Sequence, residues 1–316
     1  MERGVIFGLN NLSEKGFVIT QGTFDGVHKG HRSVLKQVVE RAKVHDAPSM
    51  LITFHPHPRT IVQPQQWNPQ ILTSIQEKSN RVLQQGIDVV LVLEFTQEIA
   101  ALSPEEFVKQ VLLEAIGVKE IVVGYDHRFG HKREGNFELL KNLGLSHGFD
   151  VTEIAAKEID DIAISSTRIR KNLTEGNLEL SNDLLGYSYP ISGTVIHGEK
   201  RGREIGFPTA NLHVEEPLKL IPPMGVYFGM AAFDEIEIPC MINIGKKPTV
   251  GDFPLSIEAH LLDYKGDLYD KRLELRLMKY HRAEKKFESL QSLINQLLDD
   301  QQDATLFFDP ITRVVN

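Results

Sequence analysis

Apolar runs of strand length alternate with amphipathic stretches through the first half of the chain. Phe17-Val18-Ile19-Thr20, Met50-Leu51-Ile52-Thr53-Phe54, Val89-Val90-Leu91-Val92-Leu93 and Ile121-Val122-Val123 are such runs. Uninterrupted apolar runs suit the strands of a parallel sheet, which is covered on both faces. Helix signals lie between them. Val34, Leu35, Val38, Val39 and Ala42 fall on one helical face. Ser103-Pro104-Glu105-Glu106 combines an N-cap serine, a first-turn proline and a capping-box glutamate, ahead of Phe107, Val111, Leu112 and Ile116 and a stop near Gly117. This alternation predicts a doubly wound α/β fold. The pattern changes near residue 185. From Tyr189 onward, period-2 strands are separated by Gly and Pro, as in Leu273-Glu274-Leu275-Arg276-Leu277, and a helix returns at about Phe287 to Leu298. The second half therefore reads as a small antiparallel β-barrel with a C-terminal helix. The change falls within Gly176 to Ser188, which gives domains of residues 1–183 and 184–316.

Composition narrows the class. The 316 residues suit two domains, and 41% apolar with 25% charged residues is ordinary for a globular protein. A net charge of −8 weighs against a nucleic-acid partner. No apolar stretch approaches the ~20 residues that span a bilayer, so no membrane partner is expected. The single cysteine, Cys240, rules out an internal disulfide and reads as a buried, inert thiol. With no signal peptide visible, the expected compartment is the cytoplasm.

The candidate chemistry begins at Gly22-Thr23-Phe24-Asp25-Gly26-Val27-His28-Lys29-Gly30-His31, between the first strand and the first helix. Glycines let backbone N–H groups approach an anion, and a helix start adds a favourable field. His28 and His31 share a face if the helix has begun there, so two imidazoles could meet one phosphate. A second anion site is expected at Ile164-Ser165-Ser166-Thr167-Arg168-Ile169-Arg170, where hydroxyls at a helix start combine with two arginines and Gly176 marks the helix end. Phe54-His55-Pro56-His57-Pro58 and Gly124-Tyr125-Asp126-His127-Arg128-Phe129-Gly130 each end a strand, where open α/β sheets bind ligands; each either lines the pocket or is a rigid loop.

The first run resembles the HxGH signature of the nucleotidyltransferase superfamily, and the Ser/Thr/Arg run resembles its ISSTxIR motif. The third motif, Gly202-Arg203-Glu204-Ile205-Gly206-Phe207-Pro208-Thr209-Ala210-Asn211-Leu212, is placed in a loop after the strand Gly193 to His197 and resembles the GRxxGFPTANL signature of riboflavin kinases. Gly225-Val226-Tyr227, Asn243-Ile244-Gly245 with Pro248-Thr249, and Ile257-Glu258-Ala259-His260-Leu261-Leu262 continue that resemblance in order. The fused order is similar to that of the bacterial bifunctional riboflavin kinase/FMN adenylyltransferases.

The resemblance implies two reactions: riboflavin to FMN with Mg-ATP, then FMN to FAD with a second ATP and release of pyrophosphate. It implies His28 and His31 as catalytic in the first domain. Gly22, Thr23, Phe24, Asp25, Gly30, Ser165, Ser166, Thr167, Arg168 and Arg170 would bind ATP there, and His57 and Asp126 the flavin. In the second domain it implies Glu258 as the base and Arg282 near the flavin. Gly202, Arg203, Pro208 and Thr209 would bind ATP, and Thr209 and Asn211 Mg²⁺. Oxygen ligands suit that hard cation. The chain departs from the usual family pattern at His55 (commonly acidic), His127 (commonly phenylalanine) and Asp270 (often glycine). Two other readings remain: an HxGH enzyme with another acceptor, and a flavin sensor without turnover.

Overall fold

The computed structural model describes residues 3–62, 70–125, 127–154, 164–198, 201–246 and 255–315. The chain divides into two compact units, Met1–Ser166 and Thr167–Asn316. Asp126, Pro248 and Thr249 lie outside the described residues.

Unit 1 carries six parallel strands: β1 (Gly4–Phe7), β2 (Val18–Gln21), β3 (Ser49–His55), β4 (Val89–Glu94), β5 (Glu120–Gly124) and β6 (Asp150–Ile154). Their order is β1-β4-β3-β2-β5-β6. The helices between them are α1 (Lys29–Val44), α2 (Pro58–Val62), α3 (Ile75–Gln84), α4 (Gln97–Ala101), α5 (Pro104–Phe107) and α6 (Phe137–His147). Separate apolar cores cover the two sheet faces, one built on Val34, Leu35 and Val38 of α1, the other on Phe107, Val111 and Leu112. This double cover explains why β2 and β4 read as nearly unbroken apolar runs. Each fully buried valine or leucine contributes roughly 1.5–3 kcal/mol.

The capping box at Ser103 forms as expected, with Glu106 N donating to Ser103 Oγ and Ser103 N to the Glu106 carboxylate. Beyond Phe107 the helix changes winding, and Val108–Ile116 is a π-helix ended by Gly117 at φ 65°.

Unit 2 is a closed barrel in the order β10-β11-β8-β7-β12-β9. Its strands are β7 (Tyr189–Ile196), β8 (Ala210–His213), β9 (Gly225–Phe233), β10 (Ile236–Lys246), β11 (Leu255–Leu261) and β12 (Arg272–Arg282), all paired antiparallel. Helices α7 (Ser166–Thr174) and α8 (Leu178–Leu185) lead in, α9 (Arg201–Glu204) is one turn, and α10 (Leu290–Val315) closes the chain. Cys240 is buried and donates to Gly229 O at 3.3 Å, and burial pushes its thiol far above the usual range.

The stretch 176–188 holds α8, whose Asn182 donates to Leu277 O of β12 and accepts from Tyr189 N of β7. Two sequence expectations change. The GRxxGFPTANL segment is not a loop throughout: Arg201–Glu204 is helical and Ala210–His213 is a strand. The last helix begins at Leu290 and runs to Val315, past the expected end at Leu298, because Ala304 and Phe308 pack into a core with Phe207, Phe228 and Met241.

Candidate functional site

In unit 1 the histidine turn crosses from the carboxyl end of β2 into α1. Phe24 and Val27 take positive φ values of 44° and 34° inside it. Left-handed backbone at residues other than Gly persists only where the surroundings fix it. The fixing group is Asp25, which is 1% exposed. Its carboxylate accepts from Leu72 N and Thr73 N at 3.0 Å and from Thr73 Oγ1 at 3.2 Å, while Gly26 N donates to Thr73 Oγ1 at 3.0 Å. Asp25 thus faces inward, as the clamp of the turn.

The turn delivers the two histidines. His28 is the N-cap of α1, and its Nδ1 accepts from His31 N at 3.3 Å. That bond leaves Nε2 as the proton-bearing nitrogen of a neutral His28. The His28 and His31 rings stack with centroids 3.6 Å apart, and Phe24 lies 4.7 Å from His31. The spacing read from the sequence therefore does put both imidazoles side by side, with Gly30 buried in the first helical turn. Ser166 Oγ donates to Asp25 O at 2.8 Å, which ties the last residue of unit 1 to the histidine turn. Ser165, Thr167 and Arg168 are exposed around that start of α7, and Arg170 is half-buried one turn on.

Under the turn lies a residue that sequence reading missed. The buried Lys78 of α3 donates to Thr53 Oγ1 at 3.3 Å, and Thr53 donates to Thr23 O at 3.4 Å. A cation below the turn favours an anion above it. Its only sequence signal is a lysine on the buried face of a helix. At the edge of β2, Gln21 Nε2 lies 3.1 Å from His127 Nε2, and the His127 ring stacks on Phe129 at 5.8 Å. Burial, then the charges of Arg133 and Arg128, lowers the His127 pKa to about 4. His57 leads into α2, its Nδ1 accepting from Arg59 N at 3.2 Å.

In unit 2 the register gathers the predicted residues into one row. Asn211 of β8 pairs with Glu258 of β11, Glu258 with Asn243 of β10, Asn243 with Val226 of β9, and Val226 with Arg282 of β12. Directly paired antiparallel residues point to the same face. Glu258 accepts from Thr209 Oγ1 at 3.0 Å and from Ser256 Oγ at 3.1 Å. The Thr209 segment is held from both sides: Phe207 N donates to Gly202 O at 2.8 Å, and His260 Nδ1 lies 2.8 Å from Pro208 O. Glycines leave room for the side chains. A Cβ on Gly198 would lie 2.3 Å from Asn211 Nδ2, and one on Gly202 would lie 3.6 Å from Thr209 Oγ1 and 2.3 Å from Phe207 O. Arg203 is exposed on α9.

Arg282 is not the surface charge that its place before a helix suggests. It donates through Nε and Nη2 to both oxygens of Asp300, at 2.8 and 2.5 Å. Burial works to raise the Asp300 pKa, but hydrogen bonds and charge from Arg282, with Gln296 and His281 behind them, hold it below the ordinary value. Among the described residues no group of three or more His, Cys, Asp or Glu forms a metal cage.

A parallel sheet with stacked histidines at its carboxyl edge, joined to a barrel with a Thr/Asn/Glu row, defines a two-unit nucleotide-using transferase. Family models agree unit by unit: FAD synthetase matches residues 10–168 and riboflavin kinase residues 185–308. A bifunctional riboflavin kinase/FMN adenylyltransferase of Escherichia coli (strain K12) is 38% identical over 308 residues, covering 96% of this chain and 97% of the relative. The protein of the same description from Listeria monocytogenes is 39% identical, covering 92% of each chain. The chain therefore belongs to the bifunctional riboflavin kinase/FMN adenylyltransferase family. A solved structure described as a macrolide-efflux protein from Streptococcus pneumoniae superposes with TM-score 0.83 at 28% identity, over 94% of this chain and 97% of that one. Among the described residues no helix is long and apolar enough to cross a membrane.

Proposed function

We propose that residues 184–316 phosphorylate riboflavin and residues 1–183 adenylylate the FMN produced, with the residues gathered above in the working roles. The observation that carries this reading is the pair of intact constellations, stacked His28 and His31 at the start of α1 and the Thr209–Glu258–Asn211 cluster on the barrel.

In the kinase unit, Glu258 accepts the proton of the ribityl 5′-hydroxyl as that oxygen attacks the γ-phosphorus of ATP. The bond to the β,γ-bridging oxygen breaks and ADP leaves. Thr209 and Asn211 offer oxygens to Mg²⁺, which supplies charge neutralisation on the phosphates when bound. Gly202, Arg203 and Pro208 shape the nucleotide loop, and Arg282 meets the flavin.

In the adenylyltransferase unit, a phosphate oxygen of FMN attacks the α-phosphorus of a second ATP, and pyrophosphate departs. His28 Nε2–H and the His31 imidazole donate to the charge that develops. Gly22, Thr23, Phe24 and Gly30 form the phosphate cradle, with Asp25 holding its shape from below. Ser165, Ser166, Thr167, Arg168 and Arg170 hold the pyrophosphate, and His57 and Asp126 meet the flavin. The partners are thus riboflavin, FMN and ATP rather than nucleic acid or membrane. The buried lone thiol and the use of ATP support work in the cytoplasm.

A chromatographic time course of riboflavin plus Mg-ATP tests the reading. FMN should rise first and FAD follow, and a chelator should stop both. FMN that accumulates without FAD would leave unit 1 with another acceptor.

A further inference from the structure

Asp300 has no part in the chemistry above, yet its carboxylate is held by three side chains. It lies on α10, 1% exposed. A buried carboxylate inside a helix is strongly unfavourable unless it is paired and its oxygens are satisfied. Here the partners come mainly from the end of β12. Arg282 grips both oxygens, His281 Nε2 lies 3.2 Å from Oδ1, and Gln296 Nε2 donates to Oδ1 at 2.9 Å. Arg282 Nη1 donates to Ala283 O at 3.0 Å. Three nitrogens of the guanidinium are thereby tied, which fixes its plane. The N–H groups left over, one on Nη1 and one on Nη2, point away from Asp300. His281 is fixed as well, stacked on Phe228 at 4.4 Å.

Where Arg282 is held matters because of the row it ends. The register runs from Arg282 through Val226 and Asn243 to Glu258 and Asn211. One row thus carries the guanidinium at one end and Glu258, beside Asn211, towards the other. Beside it, the Glu284 carboxylate presses where a Cβ on Gly245 would sit, its Oε1 2.0 Å from that point, so the chain after Arg282 also packs on the row.

We infer that Asp300 is a positioning residue of the kinase site, which presents the free N–H groups of Arg282 to the polar edge of the riboflavin substrate and makes α10 part of the site. The inference rests on the proposed contact of Arg282 with the flavin. A carboxylate that merely fastened α10 to the barrel would affect stability alone. One that orients Arg282 affects riboflavin recognition through Arg282 and nothing else.

A double-mutant cycle on the full chain separates these. Asp300→Asn keeps the shape and loses the charge-assisted fork, so the riboflavin KM of the kinase reaction should rise roughly ten-fold, with the ATP KM changed far less. Arg282→Ala should raise the riboflavin KM at least as much. In the Arg282→Ala background, Asp300→Asn should add nothing to KM, because the group through which it acts is gone. A kinase ATP KM near normal in the same preparations, which reads the same unit, reports that the barrel is folded. Asp300→Glu serves as the conservative variant and should recover part of the loss. Fully additive effects, or an unchanged riboflavin KM in Asp300→Asn beside a lowered Tm, would overturn the inference in favour of a fastening role. If Arg282→Ala left the riboflavin KM unchanged, the proposed flavin contact of Arg282 would itself fall, and the inference with it.

Discussion

His127 shows how one side chain is set by its surroundings. It is half-buried beside Gln21 and Phe129, with Arg133 and Arg128 near, and its pKa lies near 4 against an ordinary 6.5. Between those values the unfolded chain takes up a proton that the folded chain refuses. Stability from this group is therefore complete above pH 6.5 and falls as the pH drops towards 4, by about 3 kcal/mol in all. Nitrogen-detected NMR of the imidazole should show a neutral ring at pH 6, with titration only near pH 4. Titration near 6.5 would contradict the burial that the structure gives it. The sequence offered His127 as part of a segment that lines the pocket or forms a rigid loop, and as a departure from the usual phenylalanine. That Gln21 would be its partner was not legible, since Gln21 and His127 meet only when β2 and β5 lie side by side.

At the scale of elements, what the chain states locally was readable and what it settles by tertiary pairing was not. Strands β2 to β5 of unit 1 follow from apolar runs, the barrel from alternation as in Leu273 to Leu277, and the helix at Ser103 from its capping box; β1 and β6 were not read. The reach of α10 beyond the expected end at Leu298 was not readable, since its next turn carries Asp299 and Asp300. Arg282 and His281 neutralise Asp300 from another strand, so the helix continues through it. The role of Asp25 was hidden in the same way. A carboxylate in a phosphate turn suggests a ligand contact, but this one ties the β2–α1 turn to Leu72 and Thr73, just ahead of α3. Asp25→Ala leaves those buried donors unsatisfied and frees two residues held at positive φ. Unit 1 should lose about 2–4 kcal/mol in denaturant unfolding. FAD formation should fall by well over ten-fold, while FMN formation from riboflavin stays close to normal. A stable variant that still makes FAD would show that the clamp does not set the turn.

At the scale of the whole molecule, the central claim is two separate sites on one chain, linked by a product of one that is the substrate of the other. The sequence conveyed this arrangement because each unit carries its own compact motif. Gly22 to His31 and Gly202 to Leu212 are short enough to be read without the fold. What was not legible is how far each site reaches beyond its motif, to Thr73, Lys78 and Ser256, which join through hydrogen bonds across elements. The measurement that tests the claim most directly follows the flavins made by His28→Ala and Glu258→Ala, alone and mixed, given riboflavin and Mg-ATP. His28→Ala should stop at FMN. Glu258→Ala should make nothing from riboflavin yet convert supplied FMN to FAD. The mixture should make FAD after a lag. If either substitution abolished both reactions in a folded protein, the two-site account would be contradicted.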